Sequence, residues 1–418
     1  MDRTGKAGTS ALRPDFRNAR GLLQPVVKLV DLTSVPMPVS VLHIINGEQY
    51  SGLERVVDTI AEAAPDFGYR VHFACLVPGD FARRMHAANA FVHETPMRNR
   101  FDLSCVIRIR SIVERQSCQL VHSHTARGAL VARVLRMRWA RPWMHHVHSP
   151  ALYESEIRWM NRINFHVEKS VLHSADRLMP VSRSLSNYLQ SQYGISQESI
   201  LLLENGVSIQ QASVPPTMEK GQTIVLGMVG LFRPRKGLET ALGATAILHA
   251  EGIPVRLLLV GDFVSYAYRS HIANAVESSG LIPHVQFAGF EGDVVKRFQP
   301  LDIFLLPSLF GEGLPMALLE AMSFARVIVA SDIEGVTETL DHGNCGTLVK
   351  PGDPVALAHA LRTLLAAPDL ARRKAANAKE RQINCYSTYP MVKSLFEEYD
   401  RVIGLQTPQP SSSVAKFR

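Results

Sequence analysis

The 418-residue chain is 46% hydrophobic, ample for two or three buried cores, yet no apolar run approaches the roughly 18 residues needed to cross a bilayer. Its five cysteines, Cys75, Cys105, Cys118, Cys345 and Cys385, are odd in number and never spaced Cys-x-x-Cys, which speaks against a disulfide framework and against a thiolate metal site. The net charge of +7 is lopsided: residues 1–205 carry 25 Lys+Arg against 18 Asp+Glu, and the remainder is balanced at 20 against 20.

Residues 1–37 mix Gly, Ser, Pro and Arg without periodicity and are expected to form a loosely attached basic extension. The polar start lacks a signal peptide's apolar segment, so a cytoplasmic location is expected. Structure begins with the apolar run 39–45, a predicted buried strand, followed by a polar loop over 46–52 and a helix presenting Val56, Val57, Ile60 and Ala61. The alternation repeats, with further strands predicted at 71–76, 120–122, 144–148, 177–181 and 200–203. Between residues 98 and 141, ten arginines (Arg98, Arg100, Arg108, Arg110, Arg115, Arg127, Arg133, Arg136, Arg138 and Arg141) stand against only Asp102 and Glu114. Such a stretch suits an anionic membrane surface or an anionic acceptor, and equally a solvated face. Nucleic acid is not expected, because no aromatic stacking platform interleaves with the arginines.

Asn205-Gly206-Val207 and the proline-bearing run 208–221 mark a linker, dividing a first domain over 38–207 from a second over 222–385. Strands are predicted in the second at 223–230, 255–260, 285–288, 303–306 and 327–330. A closing segment over 386–405 holds a final helix, and residues 406–418 read as a disordered tail. Strand–helix alternation of this kind predicts α/β architecture: two doubly wound, Rossmann-like domains whose strand ends face a central cleft.

Chemistry concentrates in three loops. The stretch Pro307-Ser-Leu-Phe-Gly-Glu-Gly-Leu-Pro-Met-Ala-Leu-Leu-Glu320 follows a predicted strand and runs into a helix. It places Gly311 and Gly313 where the backbone must approach a ligand closely, Glu312 in the loop and Glu320 inside the helix. At about 1.5 Å of rise per residue, the two carboxylates serve different parts of an extended ligand. The segment Gly230-Leu-Phe-Arg-Pro-Arg-Lys-Gly-Leu-Glu239 sets Arg233, Arg235 and Lys236 before another helix and reads as a diphosphate clamp, with a solvated helix-start cluster as the alternative. Tyr50-Ser-Gly-Leu-Glu-Arg55 is a third loop-to-helix turn, and histidines gather at His122-Ser-His124 and His145-His-Val-His148. Without an Asp, Glu or Cys complement beside them, these histidines are not expected to hold a metal.

The Glu-x7-Glu spacing, followed by Ala-Met and a strand, resembles the signature of retaining family-4 type glycosyltransferases of the GT-B fold (glycosyl transferases group 1). The resemblance covers roughly 39–405 and is stronger in the second half. It implies that Glu312 contacts hydroxyls of the transferred sugar, that Glu320 holds the nucleotide ribose, and that Gly311, Gly313 and Leu314 line the donor site. It further implies that Gly52 brings backbone close to the diphosphate, that His148 lies beside the donor sugar, that Asp262 borders the nucleobase pocket and that Ser182 belongs to the donor site. The family's usual Val-Gly-Arg-Leu has Leu231 at the arginine position, so Arg233 is the expected substitute beside Lys236. The implied partners are a nucleotide-sugar donor and a glycan or glycolipid acceptor, with no metal or other cofactor. Another GT-B enzyme, such as an epimerase or phosphorylase, and a binding protein without turnover are the competing readings.

Overall fold

A computed structural model of the chain describes residues 37–99, 102–150, 158–219 and 221–405. The expected extension up to residue 36 and the expected tail 406–418 lie outside the described residues, as does Arg100. The first six strands, β1 (Val39–Ile45), β2 (Tyr69–Cys75), β3 (Phe91–Glu94), β4 (Leu120–His124), β5 (Trp143–Val147) and β6 (Arg177–Pro180), form one parallel sheet in the order β3-β2-β1-β4-β5-β6. The second sheet holds β7 (Ile224–Val229), β8 (Val255–Val260), β9 (Val285–Gly289), β10 (Ile303–Leu306), β11 (Val327–Ser331) and β12 (Thr347–Val349), ordered β12-β11-β10-β7-β8-β9. Both have the doubly wound order in which the chain reverses direction of travel beside the first strand. The central strands are buried throughout because helices cover both faces: β10 and β11 are largely apolar runs, while β4 is equally buried yet carries His122, Ser123 and His124.

Two edge strands, β3 and β12, carry no strong sequence pattern; both are short and only partly buried, so little alternation or apolar run marks them. The strand predicted at 200–203 does not form. Leu201 and Leu203 donate to the carbonyls of Leu178 and Pro180 at 2.9 and 3.0 Å, but Pro180 has no N–H to return and only an isolated bridge, Leu178 with Ile200, results.

The run 208–219 is tied down rather than loose: Arg326 donates to the Val214 carbonyl at 2.7 Å and Lys379 to that of Ser213 at 2.6 Å. After it and the second sheet, the helix Thr388–Ile403 returns to the first. There Phe396 stacks on Phe67 and Tyr69, with ring centroids 4.8 and 5.0 Å apart, and Tyr69 donates to Asp400 at 2.6 Å.

Candidate active site

In a doubly wound sheet the crevice opens where strand order reverses, beyond the carboxyl ends of the strands. Here those points are the ends of β1 and β4 in one sheet and of β7 and β10 in the other. The loops leaving them line a single cleft of about 1400 Å³, with Asn46–Gly52 and Thr125 on one side and residues 229–236 and 311–317 on the other.

Glu312 sits in the loop between β10 and the helix Met316–Ser323, whose N-cap is Pro315, one residue earlier than a first-turn proline would stand. Its side chain is buried, and it accepts from Lys236 Nζ and from Ser308 Oγ, each at 2.6 Å, with Arg235 Nη1 3.8 Å away. Burial alone would raise this carboxyl; the Lys236 and Arg235 charges and the two hydrogen bonds outweigh it and hold it below the usual range. Burial also lowers the Lys236 ammonium, against the pull of Glu312. With a 2.6 Å contact and a second cation nearby, the pair is ionised at neutral pH. Both arginines line the cleft: Arg235 additionally donates to the Gly311 carbonyl at 2.9 Å and so braces the loop, and Arg233 donates to Gln49 Oε1 at 2.8 Å.

Glu320, also buried, is held by two arginines from different parts of the chain, Arg55 in the helix Gly52–Ala63 and Arg297 in the short helix Val294–Phe298. Burial lowers both guanidinium pKa values, Arg55 to about 9, with the Arg297 charge as its second cause. Two cations thus share one carboxylate at the cleft wall.

Gly52 opens its helix behind Ser51, whose N–H and O–H both donate to Glu54 at 3.1 and 2.8 Å; Gly52, Leu53, Glu54 and Arg55 of the first turn line the cleft. Gly313 is needed for close approach: a Cβ there would stand 2.1 Å from the His148 carbonyl oxygen, so the two sheets' loops touch at this point. Gly311 and Leu314 line the cleft beside it, and the Leu314 carbonyl accepts from Asn205 Nδ2 at 3.0 Å. Asp262, half exposed at the cleft rim, lies 3.7 Å from Arg84.

Residues 210–381 match the family model described as glycosyl transferases group 1, and residues 50–211 match that of glycosyltransferase family 4. The chain belongs to the GT-B glycosyltransferases of the family-4 type. It is 29% identical over 207 residues to the phosphatidyl-myo-inositol mannosyltransferase of Mycobacterium leprae, covering 48% of this chain and 53% of that protein. It is 22% identical over 327 residues to the Escherichia coli UDP-Gal:alpha-D-GlcNAc-diphosphoundecaprenol alpha-1,3-galactosyltransferase, covering 73% and 82%. Among solved structures, Anabaena HepE in complex with UDP and glucose shares the fold with a TM-score of 0.74 at 20% identity, over 87% of this chain and all of that one. The chain spans about half the length of several of the curated relatives it matches.

Within this GT-B chain, one expected donor-site residue lies elsewhere. Ser182 is fully buried and absent from the cleft lining; its Oγ caps the helix Arg183–Tyr188 by accepting from the Leu185 N–H at 3.3 Å, a role that Ser before a helix commonly takes. His148, by contrast, lines the cleft. Its Nε2 lies 3.0 Å from His124 Nδ1, His124 Nε2 lies 3.1 Å from His43 Nδ1, and Tyr399 of the closing helix joins His43 to His122 at 3.2 and 2.5 Å. Burial, and then the neighbouring imidazoles, keep His122, His124 and His148 neutral. Arg55 and Arg297 are the site residues that motif reading passed over, and Arg235, read as part of the clamp, also braces Glu312 and its loop. Arg55 stood inside the quoted Ser-Gly-Leu-Glu-Arg turn, but Arg297 carries no local signal and becomes visible only when its helix is seen against Glu320.

Proposed function

We propose that this protein transfers a sugar from a nucleoside-diphosphate donor to an acceptor hydroxyl with retention of anomeric configuration, on the cytoplasmic side of the membrane, in cell-surface polysaccharide or glycolipid assembly. The observation that carries the reading is the pairing of Glu312 with Lys236 and of Glu320 with Arg55 and Arg297 on one cleft between two parallel sheets. In this reading the diphosphate lies against the first-turn amides behind Gly52 and against Arg233 and Lys236, which stabilise charge on the departing nucleotide. Lys236 is then shared between Glu312 and the phosphate, and Glu312 is turned toward sugar hydroxyls. Glu320 orients the ribose, His148 bonds a sugar or acceptor hydroxyl, and Arg233 takes the place of the family arginine lost at Leu231. Glu312 is engaged as an ion-pair partner and not as a free nucleophile, which favours attack on the face from which the diphosphate leaves, one of its oxygens accepting the acceptor's proton.

The mannosyltransferase and galactosyltransferase relatives support a lipid-linked or glycan acceptor. An acceptor at a membrane is further supported by exposed Ile107 and Met137, which stand among exposed Arg108, Arg110 and Arg138. No helix of the described residues is long and apolar enough to cross a membrane.

A thermal-shift screen against UDP, GDP, ADP and their sugars tests the reading, since a ligand that binds the folded state must raise Tm. The bound UDP of the HepE structure makes uridine nucleotides the first to try. A selective hit, followed by transfer of labelled sugar and NMR of the product's anomeric coupling, establishes donor and stereochemistry. No shift with any nucleotide at millimolar concentration overturns the proposal.

A further inference from the structure

Five histidines converge at the carboxyl end of the first sheet. His43 stands opposite His122 in the β1–β4 ladder, His124 opposite His146 in the β4–β5 ladder, and His148 follows one residue beyond β5. One ring nitrogen from each of His124, His146 and His148 lies within 4.8 Å of the other two, and the His146 and His148 ring centroids are 4.2 Å apart. We propose that His124, His146 and His148 form a binding site for a borderline divalent transition-metal ion of the zinc class, open toward the cleft.

Three observations carry this. His146 is fully buried, and neither of its ring nitrogens finds a hydrogen-bond partner of good geometry, although the Leu203 carbonyl lies close enough to interact with the ring. A buried polar ring left without partners is a desolvation cost that calls for an explanation, and a coordinated ion supplies one. Next, the His124 and His148 nitrogens are 3.0 Å apart, so they need to part by only about 0.3 Å to match two imidazoles each about 2.0–2.1 Å from one tetrahedral zinc ion. Finally, His148 alone of the three is only partly buried and lines the cleft, which provides the entry path and leaves a coordination position facing it. The second triad, His43, His122 and His124, is equally compact but wholly buried, without such a path.

The donor set also selects the ion. All three ligands are imidazoles, which suit zinc, nickel, cobalt and copper and not the oxygen-seeking calcium or magnesium. The hydrogen shared between His124 and His148 moves to the outer nitrogen of its own ring as the ion enters; no net proton or electron is exchanged. The sequence argument against a metal rested on the missing carboxylate or thiolate, a complement that three convergent histidines do not require.

The test is equilibrium dialysis of the full chain, free of any histidine tag, against micromolar Zn²⁺, with Co²⁺ as a second probe read by the visible absorption of a low-coordinate cobalt centre. One ion per chain is expected in the native protein. His148→Ala and His146→Phe should each weaken binding by about 100-fold or more. His284→Ala, at the surface contact with His249, should leave it unchanged. The proposal is overturned if folded native protein binds no ion, or if binding survives His148→Ala. Should His146→Phe fail to fold, the partly exposed His148 variant still decides the matter.

Discussion

Replacing Lys236 by Met isolates the ion pair on which the active-site argument turns. Glu312 is 6% exposed and Lys236 22%, so the substitution leaves a buried carboxylate with Ser308 at 2.6 Å and only Arg235, 3.8 Å distant, for charge. Removing one partner of a fully buried pair costs about 3–5 kcal/mol. Because Lys236 keeps some solvent and Arg235 remains, a loss of about 2–3 kcal/mol is expected at pH 7. Glu312→Gln strands Lys236 beside Arg235 and should cost a similar amount, whereas the double variant buries two neutral groups. The double-mutant cycle in urea should therefore return a coupling of about 2 kcal/mol with unchanged m-values. The pH dependence has a definite sign. Glu312's carboxyl is held below its unfolded value, so the pair stabilises the fold above the ordinary carboxylate range and that contribution is lost as pH falls through the lowered value. The coupling measured at pH 7 should accordingly shrink toward zero in acid. Additivity of the two substitutions within about 0.5 kcal/mol, or a coupling that does not change on acidification, would refute the reasoning.

Glu320→Ala should abolish any nucleotide-induced rise in Tm while leaving the second sheet folded; a shift of native size in that variant rules out the ribose contact. Gly313→Ala drives a Cβ to 2.1 Å from the His148 carbonyl and should lower stability by about 2 kcal/mol or more in urea, an expectation that a neutral result contradicts. Acid should unfold the protein early. Burial pushes His43, His145 and His146 down to about 3, so each binds its proton in the unfolded chain first, and stability drains as pH falls from about 6.5 toward 3. Urea midpoints that stay level between pH 7 and pH 5 would contradict that account. Vesicles containing anionic lipid should carry the protein in flotation at low salt and release it at high salt; equal recovery with neutral vesicles removes the basic-face argument.

Much of the fold was legible locally because parallel strands buried on both faces must be apolar runs. Val255–Val260 and Ile303–Leu306 were read to the residue, whereas edge strands such as Phe91–Glu94, half wet and four residues long, leave no such trace. Ile200–Leu203 had the apolar run of a strand and failed for want of one N–H on its neighbour, a fact about Pro180 and not about the run itself. The sequence also determined the loop chemistry on the second sheet, since Glu312, Glu320, Arg233 and Lys236 lie within short motifs whose glycines and helix starts demand a particular backbone. Only the tertiary structure decided which charges meet. Arg55 and Arg297 reach Glu320 from 265 and 23 residues away, and four histidines from three strands close into one cluster with His148 just beyond β5. Such pairings depend on strand order and crossover, which bring distant residues within bonding distance, and no local spacing encodes that distance.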